Sequence, residues 1–175
     1  YLSAEDKNFY SHGGVDYLGM IRGGIRSILD RLRNPGAPLQ SGSTITQQVA
    51  KNFLFSSDQR IERKVREIVI ARRMERAFTK DQILELYLNE IYLGNRAYGV
   101  AAAALNYFDK SLDELELHEA AYLAALPKGP NNYHPTRRTE AAIGRRNYVL
   151  SRMEANGYIT RAQAEQAMAL PLETV

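Results

Sequence analysis

Three stretches of this chain hold residues whose types and spacing could do chemistry. The first, Glu5-Asp6-Lys7-Asn8-Phe9-Tyr10-Ser11-His12-Gly13-Gly14, sets adjacent carboxylates ahead of an aromatic residue, a histidine and two glycines. Polar groups held against a rigid turn are what a general base requires. By itself the stretch more often marks a solvated acidic pair capping a helix beside a satisfied histidine. The second, Gly42-Ser43-Thr44-Ile45-Thr46-Gln47-Gln48-Val49-Ala50-Lys51-Asn52, brings hydroxyls and amides to a helix start. Free N–H groups and the positive end of the dipole suit an anion there. Lys51 and Asn52 fall two turns after Ser43 and Thr44, on about the same face, so a phosphate-bearing ligand and a plain capped helix fit comparably well. The third, Arg60 to Arg76, has seven basic and three acidic residues, a local +4 that exceeds the whole chain's +3. Within it Glu67 stands three and four residues from Lys64 and Arg63, so one carboxylate lies beside two cations on one helix face. A solvated face of paired charges has the same pattern.

These residues need helices to position them, and helical periodicity dominates the chain while strand-like alternation is almost absent. Leu18, Ile21, Ile25, Ile28, Leu29 and Leu32 recur at helical spacing from about Val15 to Arg33, interspersed with Arg22, Arg26, Arg31 and Arg33. The pattern stops at Asn34-Pro35-Gly36-Ala37-Pro38. Thr44 with Gln47 has capping-box spacing and predicts a helix to about Phe53, followed by a long one from Arg60 to Phe78. Thr79 with Gln82, Ser111 with Glu114 and Thr160 with Gln163 repeat that spacing and predict three more helix starts. An alanine-rich segment between Tyr98 and Phe108 reads as a core helix, and Thr136 to Asn156 as one helix closed by a left-handed Gly157.

With 175 residues, 45% hydrophobic and 25% charged, the chain has the length and composition of one globular domain, which excludes disorder, collagen and a disulfide-stapled miniprotein. Zero cysteines exclude thiol catalysis and zinc–thiolate sites and leave the redox compartment open. A pI near 9.1 is too small an excess to argue for nucleic acid. No apolar run approaches the ~20 residues that span a bilayer. The start, Tyr1-Leu2-Ser3-Ala4-Glu5, has neither Met nor signal-peptide architecture, so the expectation is an excised domain with its anchor elsewhere.

Taken in order, the three stretches resemble the peptidoglycan glycosyltransferases, family 51 of the glycosyltransferases, found in class A penicillin-binding proteins and monofunctional transglycosylases. The family pattern ED-x-x-F-x-x-H-x-G stands here as EDKNFYSHGG, G-x-S-T-x-T-Q-Q-x-x-K-N within SGSTITQQVAKN, and R-K-x-x-E-x-x-x-A-x-x-x-E as RKVREIVIARRME. The blocks KDQILELYLNEIYLGNRAYGVAAAALNYF and LHEAAYLAALPKGPNNYHP continue it, so the resemblance runs from Glu5 to Pro135.

The resemblance implies a mostly α, lysozyme-like fold of two lobes, the smaller one membrane-associated, formed by a single domain over the whole chain. It makes Glu5 the general base that deprotonates the 4-hydroxyl of lipid II N-acetylglucosamine. That oxygen attacks the growing lipid-linked strand with inversion and displaces undecaprenyl pyrophosphate. It makes Glu67 the second acid, assisting the leaving group directly or as ligand to Mg²⁺ or another divalent cation. Lys51, Arg63 and Lys64 would neutralise the pyrophosphate, with Ser43, Thr44, Gln48 and Asn52 lining it. Phe9, His12 and Gly14 would shape the loop. The family often carries an arginine soon after the acid of Ser56-Ser57-Asp58, where this chain has Gln59 and then Arg60. The implied setting is the outer face of the bacterial cytoplasmic membrane. The implied partners are the membrane surface, a transpeptidase domain in cis and other cell-wall synthesis proteins, without nucleic acid. The segment from Val15 to Arg33 would be an interfacial helix, or alternatively a stripe packed inside the domain. Two other functions share these features: a peptidoglycan hydrolase or lytic transglycosylase, which uses a glutamate on a similar fold, and a catalytically silent lipid II-binding module.

Overall fold

The computed structural model describes residues 1–35, 42–54 and 60–175, apart from the side chains of Arg31 and Arg60. The part of the expected Asn34–Pro38 loop from Gly36 onward, the segment Ser56-Ser57-Asp58-Gln59 and the Arg60 side chain lie outside the described residues. The chain is mostly α, as expected. Among the described residues the only β pairing is an isolated antiparallel bridge between Tyr92 and Tyr98. It forms two compact units, residues 8–84 and residues 1–7 with 85–175.

In the unit of residues 8–84, α2 (Tyr17–Arg33) starts where the Asp16 side chain accepts the Gly19 N–H, and α3 (Ile45–Lys51) starts in the predicted Thr44/Gln47 capping box. The long helix α4 (Arg60–Ala77) packs against α3. Ile45, Val49 and Ala50 of α3 and Ala71 and Met74 of α4 are buried with Phe9, Val15 and Ile83. Each large aliphatic side chain so buried contributes roughly 1.5–3 kcal/mol. The amphipathic helix α2 is inverted. Ser27 is buried and Met20, Gly23 and Asp30 are half-buried at helical spacing, while Leu18, Ile21, Ile25, Ile28, Leu29 and Leu32 are exposed by 49% to 77%. Thus the apolar stripe is not packed inside the domain.

The chain leaves this unit within α5 (Lys80–Glu90), whose start Thr79 and Gln82 cap as predicted. The other unit holds α1 (Leu2–Glu5), α6 (Val100–Phe108), α7 (Leu117–Ala125), α8 (Thr139–Ala155) and α9 (Arg161–Met168). Both of its cores share α7. Tyr122 and Leu123 pack with Leu93, Tyr107 and Phe108, while Ala121, Ala124 and Ala125 pack with Val149, Leu150 and Ala167. The predicted alanine-rich helix is α6, and it begins at Gly99 for a steric reason. Gly99 has φ +84°, and a Cβ there would stand 2.4 Å from the Asn89 carbonyl oxygen. Fully buried Arg146 donates to the Met168 and Pro171 carbonyls, tying the chain beyond α9 to α8.

Two boundaries differ from the sequence reading. Ser111 and Glu114 do cap, but only a three-residue 3₁₀ turn, Leu112–Glu114; α7 starts later, where the Glu116 N–H donates to Glu119. Helix α8 starts three residues after Thr136 because the His134 ring nitrogen Nδ1 accepts the N–H groups of Thr136 and Arg137 and holds them in a turn. Gly157 takes the expected left-handed conformation, with φ +79°.

Candidate active site

Helices α3 and α4 meet at Lys64. Its ammonium donates to Ser43 Oγ at 2.9 Å and to Glu67 Oε1 at 3.0 Å. The (i, i+3) spacing of Lys64 and Glu67 makes the ion pair, and the Thr44 cap places Ser43 opposite it. Glu67 is only 5% exposed, so its carboxylate depends on Lys64 for compensation. Lys64 and Glu67 are thus paired as their helix spacing predicts, and Ser43 joins them. Gln48 reaches the Ser43 carbonyl at 3.5 Å, and Thr44 Oγ1 donates to the Gly14 carbonyl at 2.7 Å. Arg63 stands one residue before Lys64, half-buried, with its Nε shielded from solvent and without a hydrogen-bond partner among the described residues. A shielded guanidinium N–H without a partner in the chain is a place where water or a substrate oxygen can accept. Lys51 and Asn52 are exposed at the end of α3, apart from the Ser43–Lys64–Glu67 hydrogen bonds.

The opening loop is held in the same unit. Phe9 is buried with its ring 6.0 Å edge-on to His12, and His12 Nδ1 accepts the Gly14 N–H at 3.1 Å. Gly14 has φ +98°, and a Cβ on it would come within 3.0 Å of the Ala71 carbonyl of α4. Any side chain at this position would therefore push the loop off α4. The loop-shaping roles expected for Phe9, His12 and Gly14 have these contacts behind them.

Three residues of this unit lie within the quoted motif blocks but were given no role from the sequence. Thr46 Oγ1 donates to Glu75 Oε1 at 2.8 Å, and Lys80 Nζ donates to the same oxygen at 2.7 Å. Lys80 also stands 3.3 Å from His12 Nδ1 and 4.5 Å from the centre of the Phe9 ring. The available signal was Lys80 itself, a cation in the first turn of α5, where the helix dipole opposes it.

Glu5 is the last residue of α1 and belongs to the other unit. It is half-buried, and its Oε1 is screened from solvent. Tyr1 and Tyr87, edge to face at 5.8 Å, stand near it. Burial raises the pKa of both phenols, and the Glu5 charge raises it further.

For a divalent cation the residues offer little. Among the described residues the one cluster of three potential ligands is Glu116, His118 and Glu119, in the unit without Glu67. Both Glu119 oxygens there accept from the Lys110 ammonium, at 2.8 and 3.0 Å. Glu67 would be a single carboxylate ligand. That suits Mg²⁺ only where substrate phosphates complete its shell.

A model of the family described as Transglycosylase matches residues 1–154. Penicillin-binding protein 1A of Rickettsia typhi is 48% identical over 172 residues, covering 98% of this chain and 22% of that protein. The Escherichia coli protein of the same name is 48% identical over 166 residues, covering 95% and 19%. A putative transglycosylase of Cupriavidus necator is 46% identical over 171 residues, covering 98% and 71%. The 2.6 Å crystal structure of penicillin-binding protein 1A from Haemophilus influenzae superposes with a TM-score of 0.54 at 40% identity, over 75% of this chain and 17% of that one. The chain therefore spans about a fifth of the penicillin-binding proteins it matches.

Proposed function

Since this chain belongs to the transglycosylase family, we propose that it is a peptidoglycan glycosyltransferase that elongates lipid-linked glycan strands with lipid II. Glu5 takes the proton from the 4-hydroxyl of the lipid II N-acetylglucosamine. The freed oxygen attacks C1 of the N-acetylmuramic acid at the reducing end of the donor strand. The bond from C1 to the pyrophosphate oxygen breaks on the opposite face, and undecaprenyl pyrophosphate leaves with the electron pair. A single displacement inverts C1 and needs no covalent enzyme intermediate, so one base and a stabilised leaving group suffice.

The leaving group gains negative charge as the bond breaks, and fixed cations lower that barrier. Lys64, Arg63 and Lys51 fill this role, with Ser43, Thr44, Gln48 and Asn52 as polar lining. The observation that carries the reading is the buried Glu67 held by Lys64 against Ser43, with Arg63, the residue before Lys64, leaving its Nε without a partner among the described residues. Such cation-rich polar ground suits a pyrophosphate. A glycan hydrolase has no polyanionic leaving group to stabilise. A divalent cation such as Mg²⁺, held by Glu67 and the pyrophosphate oxygens, would add to the same neutralisation when bound.

The substrate is a membrane lipid, and the exposed stripe of α2 with Arg22, Arg26 and Arg33 supports a helix lying in the interface. No helix among the described residues is long and apolar enough to cross a membrane. The proposed setting is the outer face of the bacterial cytoplasmic membrane, beside a transpeptidase domain in cis and other wall-synthesis proteins. Incubating the protein with lipid II and Mg²⁺ in detergent should release undecaprenyl pyrophosphate as disaccharides join into strands. Fragments released from preformed glycan, with lipid II untouched, would make it a hydrolase instead. Binding of lipid II without turnover would make it a binding module.

A further inference from the structure

Two side-chain hydrogen bonds among the described residues join α3 and the residue before its cap to α4, and one of them belongs to the proposed pyrophosphate site. The first is Ser43 to Lys64. The second is Thr46 to Glu75, eight residues further along α4 than Glu67. That second tie converges on Lys80. Glu75 Oε1 accepts both Thr46 Oγ1 and Lys80 Nζ, and the same ammonium reaches His12 Nδ1 and the face of Phe9. Lys80 is only 18% and Glu75 only 12% exposed, so the contact is shielded from solvent screening. At the first position of α5 the dipole disfavours a cation, yet the ammonium is turned onto a carboxylate and an aromatic face. One side chain thereby joins the opening loop, α3, α4 and α5.

We propose that Lys80, acting with Glu75, is a positioning residue for glycan transfer. The pair locks the Phe9–His12 loop and the start of α3 onto α4, so that Ser43, Lys64 and Glu67 keep their spacing. The inference rests on the functional reading above. In this role Lys80 acts through its contacts with Glu75, His12 and Phe9. Its loss acts through misplacement, and a shift of about 1 Å in a catalytic group can cost on the order of 100-fold in rate.

The test pairs steady-state kinetics on lipid II with ¹⁵N spectra of the His12 ring. Lys80→Met keeps the aliphatic stem and removes the charge. It should lower kcat about 10- to 100-fold and leave KM within about two-fold, because geometry rather than binding is lost. Lys80→Arg retains the cation and should recover kcat to within about three-fold of the parent. At about pH 8, above the ordinary histidine range, the parent's Nδ1 should resonate as an unprotonated acceptor and should shift in Lys80→Met. A folded Lys80→Met with the parent's kcat overturns the proposal, whatever happens to its melting temperature. So does a parent ring that carries its proton on Nδ1. Should Lys80→Met not fold, Lys80→Gln and the parent spectrum decide on the same criteria. A parent that forms no glycan would defeat the functional reading, while the ring spectrum would still report whether Lys80 holds His12.

Discussion

Among the described residues Glu67 is buried with Lys64 as its one ion-pair partner, so its stability role and its proposed chemical role can be separated by charge. Lys64→Met leaves a buried carboxylate uncompensated. Because Lys64 is 34% exposed, the cost should fall below the range for a fully buried pair, at about 1–2 kcal/mol. Adding Glu67→Gln removes the stranded charge and should restore most of that stability. Polymerisation should stay roughly 100-fold or more below the parent in both variants, since a pyrophosphate donor is gone. Thermal melts alongside glycan gels check this, and activity that returned with stability would remove Lys64 from its chemical role. At this scale the sequence was informative for Ser43, Lys64 and Glu67, because helix spacing alone makes the pair and a capping box places the serine. It was uninformative for the contacts of Thr46, Glu75 and Lys80. Their partners lie 29 and 68 residues away in sequence for Thr46–Glu75 and Lys80–His12, and no local periodicity encodes such a meeting.

Helix α2 turns its small and polar residues inward and its aliphatic ones outward, which for a helix in water forfeits the hydrophobic stabilisation its stripe could supply. A membrane interface recovers it. Ile21→Asp with Ile25→Asp should lower partitioning onto anionic liposomes at least about ten-fold, while the circular dichroism and melting temperature stay near the parent's. Unchanged partitioning in a sedimentation assay would refute the interfacial role. The stripe itself was legible in the sequence, but its direction was not, since periodicity reports a face without saying what covers it. Capping was legible where Ser or Thr stood three residues ahead of Gln, as at Thr44, Thr79 and Thr160. It was missed at α7, where an acid closes the helix start. Burial pushes the Glu119 carboxyl up, but the Glu116 N–H and then the Lys110 ammonium outweigh it, leaving its pKa below the ordinary value of 4.5. A depressed folded pKa adds stability above the unfolded value, and that stability is lost as pH falls through the folded one. Glu119→Gln should therefore lower the melting temperature most near neutral pH, and the difference should shrink below about pH 4. A difference that grew on acidification would contradict this cause.

Over the whole molecule, the division into two units left no trace in composition. One boundary falls at Lys7–Asn8 inside the opening motif and the other inside α5, with no Gly- or Pro-rich linker at either. Length and the search for linkers are insensitive to a division made within motifs and helices. What the sequence did carry at this scale was order: five motif blocks in succession point to one family, where any one of them alone is a capped helix or a charged face. The proposed function has this chain polymerise glycan with Glu5 as its base. The most direct measurement compares the parent with Glu5→Gln, a change that keeps the shape and removes the base, on lipid II with Mg²⁺ in detergent, with products separated by gel. Long strands should form with the parent, and synthesis should fall by about 100-fold or more in the variant. Strands formed by Glu5→Gln at the parent's rate would contradict it.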